Sequence, residues 1–479
     1  MNVPLRLEHL EILSTKTRLL GPVSLTIAKH EIHALVGRSG SGKSLLARAA
    51  LGLLPQGLQA RGNINLSKAH GAVFQHPGSA LNPRLSIKRQ LLILNAKACL
   101  EQNFSLAELE PNLARSYPHQ LSGGQQQRAC IALALRLKPD LLIADEITSA
   151  LDSTTAAKLV KNLKNLKDTL GLAILFITHD LALAAQIADR ISVIDKGRII
   201  ESGPVALLNT LNKKGIHPVL RQHIEATRLP PKAPYVPQKT AAPVFDIQNL
   251  SKRYSVKDRA ALSPLNLSLR QGQCLGIIGE SGAGKSTVAK LLAGLEKPDK
   301  QKSGNGYVRK YAAQMLFQSP KTSFNPLLTL EQSLREALPA SLSRTQSETR
   351  IIACLEDVQL DPNLRHRRPG QLSGGQCQKA AIARALLPKS DFIILDEPSS
   401  ALDSISKAEL VALLRALLVN KQRSMVLISH DMALVRALSH EIIVLDKGQC
   451  VERGPCETVL RTPRHPKTKA LLAAIPRAL

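Results

Sequence analysis

The sequence contains no tryptophan, and only 3% of its 479 residues are aromatic. Leu, Ile, Val and Ala must therefore fill whatever cores it builds. Long apolar runs are missing as well. None approaches the roughly 18 residues a membrane-spanning helix needs, so a chain that does not itself cross a membrane is expected. The N-terminus MNVPLRLEHLEIL lacks a basic start followed by an apolar stretch, which argues against a secretory signal. The seven cysteines, at 99, 130, 274, 354, 377, 450 and 456, show no C-x-x-C spacing. That disfavours zinc, an iron–sulfur cluster and a disulfide framework, and leaves reduced, mostly buried thiols. Acidic residues are few: 37 against 64 Lys and Arg, a net charge of +27. Such a surplus suits nucleic acid, anionic headgroups or nucleotide phosphates, and does not choose among them. The densest basic cluster, Arg365-His366-Arg367-Arg368, has no stacking aromatic beside it. It reads as a solvated or subunit-facing surface rather than a nucleic-acid stripe.

Apolar residues make up 44% and charged residues 21%, so the chain is long and apolar enough to fold as two or three domains. It also repeats itself. GRSGSGKS at 37–44 recurs as GESGAGKS at 279–286, and LSGGQ at 121–125 recurs at 372–376. DE at 145–146, SALD at 149–152, HD at 179–180 and DKG at 195–197 return at 396–397, 400–403, 430–431 and 446–448. The order never changes, and the period is domain-sized. Residues 229–243 hold five Pro in fifteen, which excludes a helix or central strand and predicts an extended linker. The expected organisation is a first domain over 1–228 with a short helical tail, a linker over 229–243, and a second domain over 244–479.

Short apolar runs end in polar residues (LLIADE, AILFITHD, FIILDE, SMVLISHD). They predict an α/β fold whose mostly parallel sheet carries its active edge at the strand C-termini. The Leu/Ala-rich stretches between Gln75 and Leu121, and between Gln318 and Leu372, read as helical subdomains inserted into each core.

G-x-x-x-x-G-K-[ST] between a strand and a helix is a phosphate loop. Gly37, Ser39, Gly40 and Gly42, and likewise Gly279, Ser281, Gly282 and Gly284, would let backbone N–H groups close around phosphates. Lys43 and Lys285 would reach the β- and γ-phosphates, and Ser44 and Ser286 would ligate Mg²⁺. Asp145 and Asp396 end apolar strands and could hold Mg²⁺ through water, with Glu146 and Glu397 as general bases. A single such Asp could equally cap the next helix. His179 and His430 could contact γ-phosphate and the attacking water, and Gln75 and Gln318 could join the metal shell. Ser122, Gly123, Gly124 and Gln125, with Ser373, Gly374, Gly375 and Gln376, open helices. Each set is a second phosphate-seeking surface or an ordinary N-cap. One nucleotide needs both surfaces, so head-to-tail pairing of the copies is the economical arrangement.

These motifs, in order and twice, resemble two ATP-binding cassette (ABC) ATPase domains fused in tandem. The resemblance covers nearly the whole chain. It implies two P-loop NTPase domains that sandwich ATP and Mg²⁺ in two composite sites. One would combine Gly37 to Ser44, Gln75, Asp145, Glu146 and His179 with Ser373, Gly375 and Asp403. The other would combine Gly279 to Thr287, Gln318, Asp396, Glu397 and His430 with Ser122, Gly124 and Asp152. QHPGSALNP at 75–83, QSPKTSFNP at 318–326 and RTPRHPKTKALLAAIP at 461–476 are similar to the ATPases of dipeptide, oligopeptide and nickel importers. That subfamily implies two integral membrane permeases as partners and, indirectly, an extracytoplasmic binding protein. It also implies a peripheral position at the cytoplasmic face of the inner membrane and no nucleic acid. Tyr254 stands where the family stacks an aromatic on adenine, and the matching stretch of copy one has none, so the two sites should differ in affinity. Ile147 replaces the usual Pro after the first DE. The alternative is a soluble two-cassette ATPase acting on ribosomes or nucleic acid.

Overall fold

Each half is organised by short strands that are buried at every position: Ile32–Val36, Leu141–Asp145 and Ala173–Thr178 in the first, Cys274–Gly279, Phe392–Asp396 and Ser424–Ile428 in the second. Runs of five or six apolar residues are too short for core helices and suit strands covered on both faces. The computed structural model describes residues 3–15, 17–75, 77–96, 99–149, 151–209, 217–227, 243–255, 260–299, 311–317, 320, 323–400, 402–419 and 423–475. The Pro-rich linker, Pro243 apart, lies outside them, as does Gln318.

The first half's sheet runs in the order His70–Val73, Leu141–Asp145, Ala173–Thr178, Ile32–Val36, Arg190–Asp195, Arg198–Pro204. The second runs Ala313–Leu316, Phe392–Asp396, Ser424–Ile428, Cys274–Gly279, Glu441–Asp446, Gln449–Pro455. In both, all neighbours are parallel except the last pair, which is antiparallel. The repeated DKG sits at that hairpin, with φ of 44° and 77° at Lys196 and Gly197. Alternate residues feed two apolar layers. Ile32, Ala34 and Val36 pack with Leu159, Leu163 and Leu166 of the Ser153–Leu170 helix. Leu35 points the other way, to Leu46 and Ala47 of the Lys43–Ala50 helix. Each such leucine contributes roughly 1.5–3 kcal/mol by leaving water.

The sequence reading did not foresee a separate antiparallel sheet, Arg18–Ile27, Leu5–Leu13, Gln59–Leu66, that covers the phosphate-loop layer. Its signal was present in the alternation LRLEHLEIL, which turns Leu5, Leu7, Leu10 and Ile12 inward. His9, at φ 48°, shifts the register partway along. Pro243–Lys252 and Leu262–Arg270 pair in the same way in the second half.

The inserted helical segments are Ile87–Leu94, Leu100–Leu106 and Gly123–Leu135, and then Leu330–Arg335, Arg344–Asp357 and Gly374–Leu386. Arg136 ends the first Gly-led helix and is only 1% exposed. Its guanidinium donates to the carbonyls of Leu91, Asn95 and Cys99 and to Asn103 Oδ1. It therefore pins the other two helices of that segment. Arg365 departs from the solvated surface expected of its cluster: it is clamped between Glu331 and Glu348 at 3.5 and 3.1 Å, whereas Arg367 and Arg368 are exposed.

The halves also exchange tails. The Pro218–Thr227 helix of the first packs on the Ser404–Val419 helix of the second, and Pro466–Ala473 packs on Ser153–Leu170. All seven cysteines are free thiols, five of them buried. Burial pushes Cys130 and Cys354 up to about 12, so both stay protonated. Among the described residues no helix is long and apolar enough to cross a membrane.

Candidate active site

The phosphate loops leave their strands and turn straight into helices. Gly42 and Gly284 are the N-caps, at φ 106° and 101°. Only glycine adopts that conformation without strain, and a Cβ would sit 2.8 Å from Leu20 Cδ1 or from the Ala261 carbonyl. Lys43 Nζ folds back to donate to the Gly37 and Arg38 carbonyls at 2.8 and 2.9 Å. Lys285 Nζ does the same to Gly279 and Glu280, both at 2.8 Å. Burial pulls both ammonium groups below their usual range, against the raising effect of the nearby acids.

Ser44 Oγ donates to Asp145 Oδ1 at 3.1 Å, and Ser286 hydrogen-bonds Asp396. Burial raises both aspartates, with Glu146 and Glu397 adding to it, and Asp396 reaches about 6. A hydroxyl beside an under-stabilised carboxylate is the oxygen donor set that a hard divalent cation takes. Among the described residues no group of three or more His, Cys, Asp or Glu is placed to hold a metal. The Ser–Asp pairs therefore suit an ion whose remaining ligands are phosphate and water.

Glu146 and Glu397 hold the left-handed conformation, at φ 49° and 51°. That is costly for a non-glycine, about 1–3 kcal/mol, and such residues gather at functional sites. Their N–H groups bond the Ile177 and Ile428 carbonyls, both at 2.9 Å, which fixes the strained turn to the neighbouring strand. Glu146 Oε2 accepts from Gln75 Nε2 at 3.1 Å and lies 3.5 Å from His179 Nδ1, while Lys43 Nζ stands 3.8 Å from its other oxygen. Glu397 lies 2.7 Å from His430 Nδ1. Burial opposes charge on the His430 ring, but the bonded Glu397 carboxylate outweighs it and raises the pKa.

The halves meet reciprocally at the SALD aspartates. Asp403 Oδ2 accepts from Ser39 N of the first loop, and Asp152 Oδ2 from Ser281 N of the second, both at 3.3 Å. Their other oxygens cap their own helices through Ser406 N and Thr155 N, both at 2.9 Å. Burial disfavours the charge on each, but these bonds hold both carboxyls below the usual range. A loop N–H that already holds an anionic oxygen is a loop that fits a phosphate.

Ser122 and Ser373 stay exposed, and each caps its own helix in a closed box with Gln125 or Gln376. The glutamine oxygens accept from Ser122 N and Ser373 N at 2.9 Å. Gly123 and Gly374 are open to solvent, Gly124 and Gly375 half-buried. The N-cap geometry is thus present in both copies. Tyr254 is exposed, with Lys252 Nζ 5.2 Å from its ring centre. The sequence reading missed the residues that fix the histidine loops. Thr178 and Ser429 hydroxyls accept from Asp180 N and Asp431 N, both at 3.0 Å. Ser153 Oγ donates to the His430 carbonyl across the halves at 3.0 Å. The twice-written [TS]-H-D was the available signal.

The family profile described as "ABC transporter" matches residues 20–149 and 262–400. The chain belongs to the ABC transporter family. As a member it is an ATP-hydrolysing enzyme, the ATPase subunit of a transporter. This ABC protein is 35% identical to "Uncharacterized ABC transporter ATP-binding protein YejF" of Escherichia coli (strain K12), over 96% of each chain. It is 37% identical to "Peptidoglycan transport ATP-binding protein YejF" of Agrobacterium fabrum, over 94% of this chain and 92% of that one. It is 34% identical to "Glutathione import ATP-binding protein GsiA" of Escherichia coli (strain K12), over 95% and 86%. Among solved structures, an archaeal ribosome recycling factor, in complex with a ribosomal stalk protein, matches with a TM-score of 0.64 at 22% identity, over 90% of this chain and 86% of that one. That likeness concerns the fold.

Proposed function

We infer that the chain energises an importer of the peptide and nickel type through two composite ATP sites. The observation that carries the two-site reading is the reciprocal reach of Asp152 and Asp403 to the opposite phosphate loop. The import reading rests on the relatives' names and on the Q-x-P-x-x-x-x-N-P and C-terminal segments. Cargo would be a peptide, nickel or a metal chelate. The cassettes would span 1–228 and 244–479, joined by 229–243.

Mg²⁺ would sit at Ser44 and Asp145 with Gln75, and at Ser286 and Asp396 with Gln318, and it would neutralise charge on the phosphates. Lys43 and Lys285 would swing from the loop carbonyls to the phosphate oxygens. Glu146 and Glu397 would take the proton of the attacking water, held in line by His179 and His430. Ser122 and Ser373, with the glycines after them, would complete the opposite site, their free helix N–H groups facing the phosphates. Tyr254 would stack on adenine at the Gly279–Thr287 site. Tyr254→Ala should weaken nucleotide binding about three- to tenfold at that site alone. Titration with a fluorescent nucleotide would resolve two affinities, and an equal loss at both would count against the stacking role.

Two integral permeases, served by an extracytoplasmic binding protein, would anchor the chain at the cytoplasmic face of the membrane, with no role for nucleic acid. A tagged pull-down from detergent-solubilised cells tests this. Two polytopic membrane proteins in about one-to-one ratio are expected, as for a stable complex. Ribosomal proteins or nucleic acid that survive moderate salt, without a permease, would overturn it.

A further inference from the structure

Between the halves lies a cavity of about 780 Å³, with His179 and Asp180 on one side and His430 and Asp431 on the other. Among its lining residues is a lysine with no charged counterpart in the first half. Lys407 stands in the first turn of the Ser404–Val419 helix, where the first half has Ala156. A cation there opposes the helix dipole, so other groups must hold it. Lys407 Nζ pairs with Asp431 Oδ2, and Ser399 Oγ donates to the same oxygen at 3.4 Å. Asp431 Oδ1 accepts from Ala433 N and Leu434 N at 3.1 and 3.2 Å. The carboxylate next to His430 is therefore fixed at both oxygens. Asp180, across the cavity, adds its charge to the field on Lys407. The helix that carries Lys407 begins at Asp403, the residue that grips the first phosphate loop.

We propose that Lys407 is a positioning residue that couples the two ATP sites through a single tie, from the Asp403 helix to the Asp431–His430 segment of the second site. Closure of Asp403 on the first loop moves the helix start, and Lys407 passes that movement to Asp431 and so to His430. Ala156 provides no such tie between Asp152 and Asp180, so His179 of the first site has no matching support. The idea rests on the two-site reading above.

The test is steady-state ATP hydrolysis by the full chain, with each site silenced in turn. With Glu146→Gln only the second site turns over, and adding Lys407→Met should lower kcat about tenfold while KM moves less than about twofold. With Glu397→Gln only the first site turns over, and the same substitution should change kcat less than about twofold. Lys407→Arg, which keeps the charged pair, should restore the first of these rates. Lys407→Gln should reproduce the split and covers a failure of the methionine variant to fold. Equal losses in both backgrounds, or an arginine variant as defective as methionine, would overturn the coupling role. If neither glutamate substitution lowers turnover, it is the general-base assignment of the proposed function that fails instead.

Discussion

Glu146→Gln combined with Glu397→Gln should cut steady-state ATP hydrolysis at least about a hundredfold and leave ATP binding within about twofold. Glutamine keeps the shape and the left-handed backbone of each position, and its amide still meets Gln75 or the histidine loop. It cannot take a proton. The strained turns at φ 49° and 51° aim these carboxylates past the metal-side aspartates and into the range of His179 and His430. Nucleotide affinity comes from other groups, chiefly the loop N–H groups and Lys43 and Lys285. A double variant that hydrolyses ATP at the parental rate would remove the general-base role from both residues.

The second large effect is on stability. Arg136→Leu should destabilise the first helical segment by about 3 kcal/mol, the scale of breaking up a buried charged hydrogen-bond set. The loss does not come from missing apolar area, since leucine fills much of the space. It comes from the carbonyls of Leu91, Asn95 and Cys99 and the Asn103 side chain, which lose the guanidinium donor they share where the two helices pack on Gly123–Leu135. The second half has Leu387, buried, at the matching place. Hydrogen exchange reads the effect directly. Amides of 87–94 and 100–106 should lose protection, while those of the central strands keep theirs. Unchanged exchange in the helices would show that Arg136 is not their fastener.

How far the sequence could be read follows from which signals come twice. The phosphate loops, the DE pairs, SALD and the histidines recur in order, and each recurs because one chemistry demands the same atoms at the same strand end. The parallel sheets were legible for a related reason, since strands buried on both faces spell uninterrupted apolar runs. The antiparallel sheet was overlooked although Leu5 and Leu7, and then Leu10 and Ile12, alternate on either side of His9. The Gly-rich loops beside it dominate the reading of that region, and the bulge at His9 interrupts the period. Arg136 and Lys407 escaped for the opposite reason. Each occurs in one copy only, so a reading built on repetition passes over them, and their partners are carbonyls and carboxylates distant in sequence. Ser122 and Ser373 show a remaining ambiguity, because one hydroxyl at one helix start serves a cap and a phosphate surface with the same geometry.

The exchanged tail helices have a kinetic consequence. Pro218–Thr227 rests on the second half and Pro466–Ala473 on the first, and Lys467 of the latter also pairs with Glu280 of the second phosphate loop at 3.6 Å. Two bodies held by such straps do not have to find each other by diffusion. Their effective local concentration is on the order of millimolar, as for short tethers, whatever the amount of protein in the cell. Each round of closing and reopening then proceeds at a rate that dilution does not lower.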